Sequence, residues 1–220
     1  DSVYLGESFY DEEVRDVEFV NVAVTDLQMG ITNYARNFTL THSLVDRNGR
    51  VPSAGETGYS QGIFSAADNF ILQHSQIGTN GDQASQFDHS IYLSNASFNQ
   101  VVCNHFYDTT SALKIRRVHD SLVDRNLFEN TPSGIIAGGD SNGPLNNLRI
   151  TNNRFTQVLE AVHIKSQSGV GTDFIDNVVV AQNIIYNTFV THDWLNSDAL
   201  IKVSDNQPAR NIFILNNLFY

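Results

Sequence analysis

Apolar residues recur along this chain in one uneven spacing: a polar residue, then apolar positions one, three and eight residues later, with Asn or Ser frequently at the sixth. The pattern is readable in VEFVNVAV (17–24), NFTLTHSLV (37–45), NFILQHSQI (69–77) and FNQVVCNHF (98–106). It returns in DSLVDRNLF (120–128), NLRITNNRF (147–155), NVVVAQNII (177–185) and NIFILNNLF (211–219). Between these copies lies a shorter one, a small residue followed by alternating apolar positions: GIT (30–32), GIF (62–64), SIYLS (90–94), ALKIR (112–116), GIIAG (134–138), AVHIK (161–165) and ALIKV (199–203). Copies follow one another every 21 to 34 residues, one turn of a coil plus loops of variable length. Each segment is too short and too one-sided to be stable alone, so it must bury its apolar face by stacking on its neighbours. The pattern therefore predicts an all-β fold, a single-stranded right-handed parallel β-helix of about eight coils that takes in residues 1–220 as one domain.

The sixth position holds Asn104, Asn126, Asn153, Asn183 and Asn217. Stacked strands bring equivalent residues to about 4.8 Å, where one amide can donate to the next. The asparagines are read as an internal structural ladder whose buried polar groups satisfy each other. His42, His74 and His105 fall within the same strands and are read as structural. Runs such as SAGETGYSQ, TNGDQASQ, GGDSNGP and SQSGVGTD are loops by composition.

Composition narrows the function. With 41% hydrophobic and 17% charged residues the chain is neither disordered nor membrane-spanning, and no apolar run approaches the roughly 20 residues of a transmembrane helix. The start, DSVYLGES, carries no Met and no signal region, as expected of a mature or excised segment. Both ends of the repeat run into the termini without a polar cap, so a longer chain or a partner, including a second copy, is expected to cover them. The single cysteine, Cys103, excludes an internal disulfide and a cysteine-built zinc site. A net charge of -11 argues against a nucleic-acid partner. Against that acidic background the only three lysines, Lys114, Lys165 and Lys202, all fall in the shorter strand pattern.

Alternation assigns their faces. The first outward column reads Thr32, Phe64, Tyr92, Lys114, Ile136 and His163; the second runs through Ser94, Arg116, Gly138 and Lys165. In the last coil Ile201 or Lys202 faces out, and Lys202 is favoured because burying an unpaired ammonium is costly. Tyr92, Lys114, Arg116, His163, Lys165 and Lys202 thus form one stripe, with Asp88, His89 and His119 at its margins. His89, Lys202, His119 and Trp194 are candidate substrate contacts, although Trp194 would equally cover a coil edge.

The coil pattern, the Asn ladder and the stripe resemble the pectin-lyase-like superfamily of secreted carbohydrate-active β-helices. Within it, EAVHIKS (160–166) is similar to a stretch of the chondroitinase B and alginate lyase family in which a Glu lies five residues before the catalytic Lys. The resemblance implies Lys165 as general base, Glu160 as a ligand of a carboxylate-neutralising Ca2+, and a secreted or periplasmic location. That family's next coil carries an Arg followed by His and Gly; here it reads ALIKVSDN, so Lys202 would stand in.

The residue chemistry agrees with an acidic polysaccharide as substrate. Elimination across a uronate ring removes a proton beside a carboxylate whose charge has been neutralised, and then protonates the leaving oxygen. Lys165 beside His163, Lys114 beside Arg116, and Tyr92 supply these roles. The same set serves a uronate C5-epimerase. Paired-carboxylate glycoside hydrolysis is disfavoured because the outward face is basic and carries no adjacent Asp pair. A non-catalytic, tailspike-like glycan-binding stalk is the alternative from a different class.

Overall fold

The computed structural model describes residues 2–6, 14–49, 61–81, 88–140, 142–165, 174–188, 199–204 and 208–220. These residues form a right-handed parallel β-helix built from three parallel sheets of 8 strands each. The first sheet holds the shorter sequence pattern, and its central strands are His89–Ser94, Ser111–Arg116, Ser133–Gly138, Glu160–Lys165 and Ile201–Ser204. The longer pattern is folded at its middle and feeds the other two sheets, as in His119–Asp124 of the second and Leu127–Glu129 of the third. No helix among the described residues is long and apolar enough to cross a membrane.

The fold in the longer pattern is a corner of constant length. The strands Thr39–Thr41 and Leu44–Asp46 are separated by two residues, as are His119–Asp124 and Leu127–Glu129 and every equivalent pair. The first of the two residues has positive φ in each coil: Asn21, His42, His74, Cys103, Arg125, Asn152, Gln182 and Asn216. A left-handed conformation costs a non-glycine residue about 1–2 kcal/mol. The second corner residue offsets it through the expected ladder. The amide of Asn126 donates to Asn153 Oδ1 at 3.0 Å, and Asn153 in turn donates to Asn183 Oδ1 at 3.0 Å. The ladder extends beyond the five asparagines, because Ser75 N donates to Asn104 Oδ1 at 3.0 Å and Ser43 N to Ser75 Oγ at 3.1 Å. A second ladder, Asn48 to Asn80 at 3.0 Å, crosses another bend.

Inside, equivalent residues stack along the axis. Phe106, Phe128 and Phe155 form a column with ring centroids 4.7 Å apart, and all three are fully buried. Burying one such side chain contributes about 1.5–3 kcal/mol, so the apolar positions of the repeat hold the coils in register. In the last coil Ile214 faces inward beside Val180, yet it is 46% exposed where Val180 is fully buried.

Candidate active site

Strand pairing in the first sheet puts the expected residues into register. Tyr92, Lys114, Ile136, His163 and Lys202 occupy one outward column on successive coils. The pairing of Val162 with Ile201 and of His163 with Lys202 turns Lys202 outward, as favoured from the sequence. The neighbouring column carries Ser94, Arg116 and Gly138, and further along it Lys165 pairs with Ser204.

A third outward row precedes these two, and strict alternation does not reveal it. The amides of Leu159 and Glu160 both donate to Pro132 O, at 3.0 and 2.8 Å, while those of Ala161 and Val162 both donate to Leu200 O, at 2.9 and 3.1 Å. Two consecutive amides on one carbonyl mark a bulge-like break in the alternation, which reverses the facing of everything before it while the register stays unbroken, with Ser133 opposite Glu160 and Ile135 opposite Val162. Glu160 therefore shares a face with His163 rather than with Val162, and its Oε1 accepts from His163 Nδ1 at 2.9 Å. The extra inward position must be small. A Cβ on Gly134 would lie 2.6 Å from the Ala161 carbonyl oxygen and 2.9 Å from the Phe155 ring. The outward row contains His89, Ser111, Ser133 and Glu160, with His89 Nδ1 2.7 Å from Ser111 Oγ. Ser133 Oγ is buried and has no hydrogen-bond partner among the described residues.

The outward stripe is a buried one. Lys114 is 6% exposed, His89 6%, His163 9% and Ile136 8%. Alternation fixes which side a residue takes but not what packs over that side. Burial has electrostatic consequences. The Lys114 ammonium is pulled down to about 7, first by desolvation and then by the positive charges of Lys165 and Arg116. His89 is pulled down to about 3, again by burial first and then by Lys114 and Lys165. Lys165 is thus close enough for its charge to reach both Lys114 and His89.

Arg116 is not a free cation. Its Nε lies 2.5 Å from Asp140 Oδ2, and Asp140 is 2% exposed. Arg117 Nε lies 3.6 Å from the same oxygen. Asp140 is held by a backbone bridge to Gly143 and accepts from Asn142 N at 2.8 Å. The rest of the Arg116 fork reaches the stripe, where Nη1 donates to Tyr92 Oη at 3.3 Å. Aromatic edges continue from Tyr92 to His89 at 6.0 Å and to Phe64 at 5.6 Å between centroids.

Of the residues expected at the site, Tyr92, His89, Lys114, Arg116, Glu160, His163, Lys165 and Lys202 are gathered on this sheet. His119 is not; it opens a strand of the second sheet, paired with Asn146, beyond the corner at Arg117. Trp194 lies outside the described residues. Glu160, expected as a calcium ligand, is 2% exposed and engages His163. Among the described residues no group of three or more His, Cys, Asp or Glu side chains converges on a point. Two site residues were not foreseen. Asp140 sits in a loop, whereas Ser204 stands one coil beyond Lys165 in the second outward column, where extending that column would have reached it. Ser204 Oγ lies 2.5 Å from His163 Nε2.

Neither the models of known protein families nor the curated protein sequences compared with the chain gave a match. What stands is the class defined by fold and site: a right-handed parallel β-helix, an architecture compatible with carbohydrate-active enzymes, with a buried cationic and imidazole stripe on one sheet.

Proposed function

We infer that the first sheet binds an acidic, uronate-containing polysaccharide and cleaves it by β-elimination, as the likeness to the pectin-lyase-like superfamily implies. The observation that carries this reading is Lys114, an amine brought down to a pKa of about 7 by burial and then by two neighbouring cations, in a protein of net charge -11. An amine can accept a proton only when neutral, and general bases work best when their pKa lies near the working pH. The reading therefore gives the base role to Lys114 in place of Lys165, the position implied by family resemblance.

In this mechanism Lys114 Nζ takes the proton beside the uronate carboxylate. Lys165 faces the carboxylate and stabilises the negative charge that develops there. Tyr92 protonates the departing glycosidic oxygen, and Arg116 Nη1 donates to its Oη and holds the phenol in place. Atoms balance without water: the proton leaves one carbon, the C–O bond breaks, and the products are a new reducing end and an unsaturated uronate. The polymer lies along the coil axis, where two coils span roughly 10 Å, about two sugar rings. Such polymers are extracellular, so the reading includes a secreted or periplasmic location.

The test is to offer alginate, pectate and glycosaminoglycans and to follow the ultraviolet absorbance of the unsaturated uronate. Absorbance is expected on at least one polymer, with Lys114→Ala lowering kcat by about a hundredfold or more and Lys165→Ala lowering kcat as well, with a raised KM from the lost contact to the ground-state carboxylate. Deuterium uptake at the uronate without absorbance would assign epimerisation to the same residues. Silence in both measurements on all polymers would overturn the reading.

A further inference from the structure

The contacts of His163 run in one direction through three residues. Glu160, at the buried end, accepts from His163 Nδ1 at 2.9 Å; Ser204, half-buried at the other end, donates its hydroxyl to His163 Nε2 at 2.5 Å. A carboxylate that accepts at Nδ1 fixes the imidazole tautomer with its lone pair on Nε2, the atom facing the serine. Carboxylate, imidazole and hydroxyl in this order are what a serine needs to become a nucleophile. Beside Ser204, at the paired position of the preceding coil and about 4.8 Å away along the sheet, stands Lys165. Its ammonium is placed to meet negative charge that forms next to the serine oxygen. Ile136, 8% exposed and paired with His163, gives the same spot an apolar wall.

We propose that Ser204, His163 and Glu160 are the nucleophile, base and orienting group of a second activity, hydrolysis of short-chain carboxylic esters. The polysaccharide reading supplies only the carrier, a sugar polymer bearing small acyl groups; the hydrolysis stands on its own geometry. Ser204 Oγ bonds to the ester carbonyl carbon as its proton passes to His163 Nε2, and the carbonyl electron pair moves onto oxygen beside Lys165. Collapse of this adduct breaks the bond to the sugar oxygen, which leaves with the proton from His163. Water then attacks the acyl-serine, gives a proton to His163, and releases the carboxylic acid with Ser204 restored.

The bulge at residues 159–162 is what makes the arrangement possible. Under strict alternation Glu160 would point into the core, away from His163 Nδ1. The sheet thus carries two chemistries in adjacent registers: an amine cluster around Lys114, and a hydroxyl–imidazole–carboxylate line two coils further on.

The experiment treats the whole chain with a fluorophosphonate, which phosphonylates activated serines with loss of fluoride, and separately with p-nitrophenyl acetate. Intact mass and peptide mapping are expected to show one adduct per chain, on Ser204, together with release of p-nitrophenol. Ser204→Ala should abolish both while keeping the wild-type circular dichroism. Glu160→Gln, which preserves shape, should slow labelling and turnover by about a hundredfold or more, and His163→Ala by about a thousandfold or more. Absence of an adduct on folded wild-type protein, an adduct elsewhere, or unchanged ester turnover in Ser204→Ala would each overturn the proposal. Labelling of Ser204 by a protein that shows no elimination would keep this site and remove the elimination reading. Elimination without labelling would do the reverse.

Discussion

Replacing Lys114 by Met separates what this residue does for the site from what it does to the fold. The substitution keeps the length of the side chain and removes the charge. In the folded protein the ammonium loses its proton near pH 7, whereas in the unfolded chain it does so near the ordinary value of 10.5. The folded state therefore binds fewer protons between these limits, and the lysine's contribution to stability rises with pH across that window. Below pH 7 both states are protonated, and the full cost of burying the cation beside Lys165 and Arg116 is present. At pH 9 the folded amine is neutral while the unfolded one is still charged. Two pH units at about 1.4 kcal/mol each make the lysine roughly 3 kcal/mol less unfavourable at pH 9 than at pH 6. Lys114→Met should accordingly stabilise the protein, and the gain should be larger at pH 6 than at pH 9 by that amount. Urea unfolding of both proteins at the two pH values measures it, with the midpoint and slope read together. Elimination activity should be lost at both. A gain of equal size at pH 6 and pH 9, or a loss of stability at pH 6, would refute the argument that Lys114 is a buried cation held near neutrality.

His89 makes the complementary case on the acid side. Its folded pKa of about 3 lies below the ordinary 6.5, so stability should fall as pH drops through that window, by roughly 3 kcal/mol between pH 7 and pH 4.5. His89→Gln should flatten that part of the urea-midpoint curve, and an unchanged slope would contradict it. For the ladder, Asn153 accepts from the backbone and side-chain amides of Asn126 at 2.9 and 3.0 Å and donates to Val123 O at 3.0 Å. Asn153→Ala leaves these buried groups unpaired and should cost roughly 3 kcal/mol in urea unfolding; a loss below about 1 kcal/mol would mean that water or relaxation satisfies them.

The fold was legible because its two strongest constraints, apolar stacking and the amide ladder, repeat at fixed offsets. Phe128 and Asn126 stand eight and six residues after Asp120 for the same reason that Phe155 and Asn153 stand at those offsets from Asn147. The division of the longer pattern between two sheets was not legible. The left-handed residue that makes the bend is Asn in some coils and His74, Cys103, Arg125 or Gln182 in others, so no residue type announces it. Outward columns followed from alternation up to the bulge and failed there; Glu160 changes face because two consecutive residues, Ala161 and Val162, turn inward, a break that the shared Pro132 and Leu200 carbonyls reveal. The pairing of Arg116 with Asp140 joins a strand to a loop 24 residues later, and no periodicity links the two. The burial of Lys114 depends on what packs over the sheet, which a two-residue period cannot encode.

The constant two-residue corner also decides where this molecule can grow. Between the second and third sheets every coil has the same chain length, because the left-handed residue and the ladder residue after it leave no room for another. All variation is displaced to the two ends of the first sheet. The link entering it ranges from three residues, between Tyr107 and Ser111, to fourteen, between Asp46 and Gln61; the link leaving it ranges from two, between Arg116 and His119, to twelve, between Leu5 and Glu18. Insertions and deletions are thus channelled to the rims of the sheet that carries Lys114 and His163, while the opposite corner works as a fixed ruler for the core. For an engineer this is a directional scaffold: segments grafted at the rims would reshape what reaches the stripe, and a single residue added at the ruler would throw the ladder out of step in every coil beyond it.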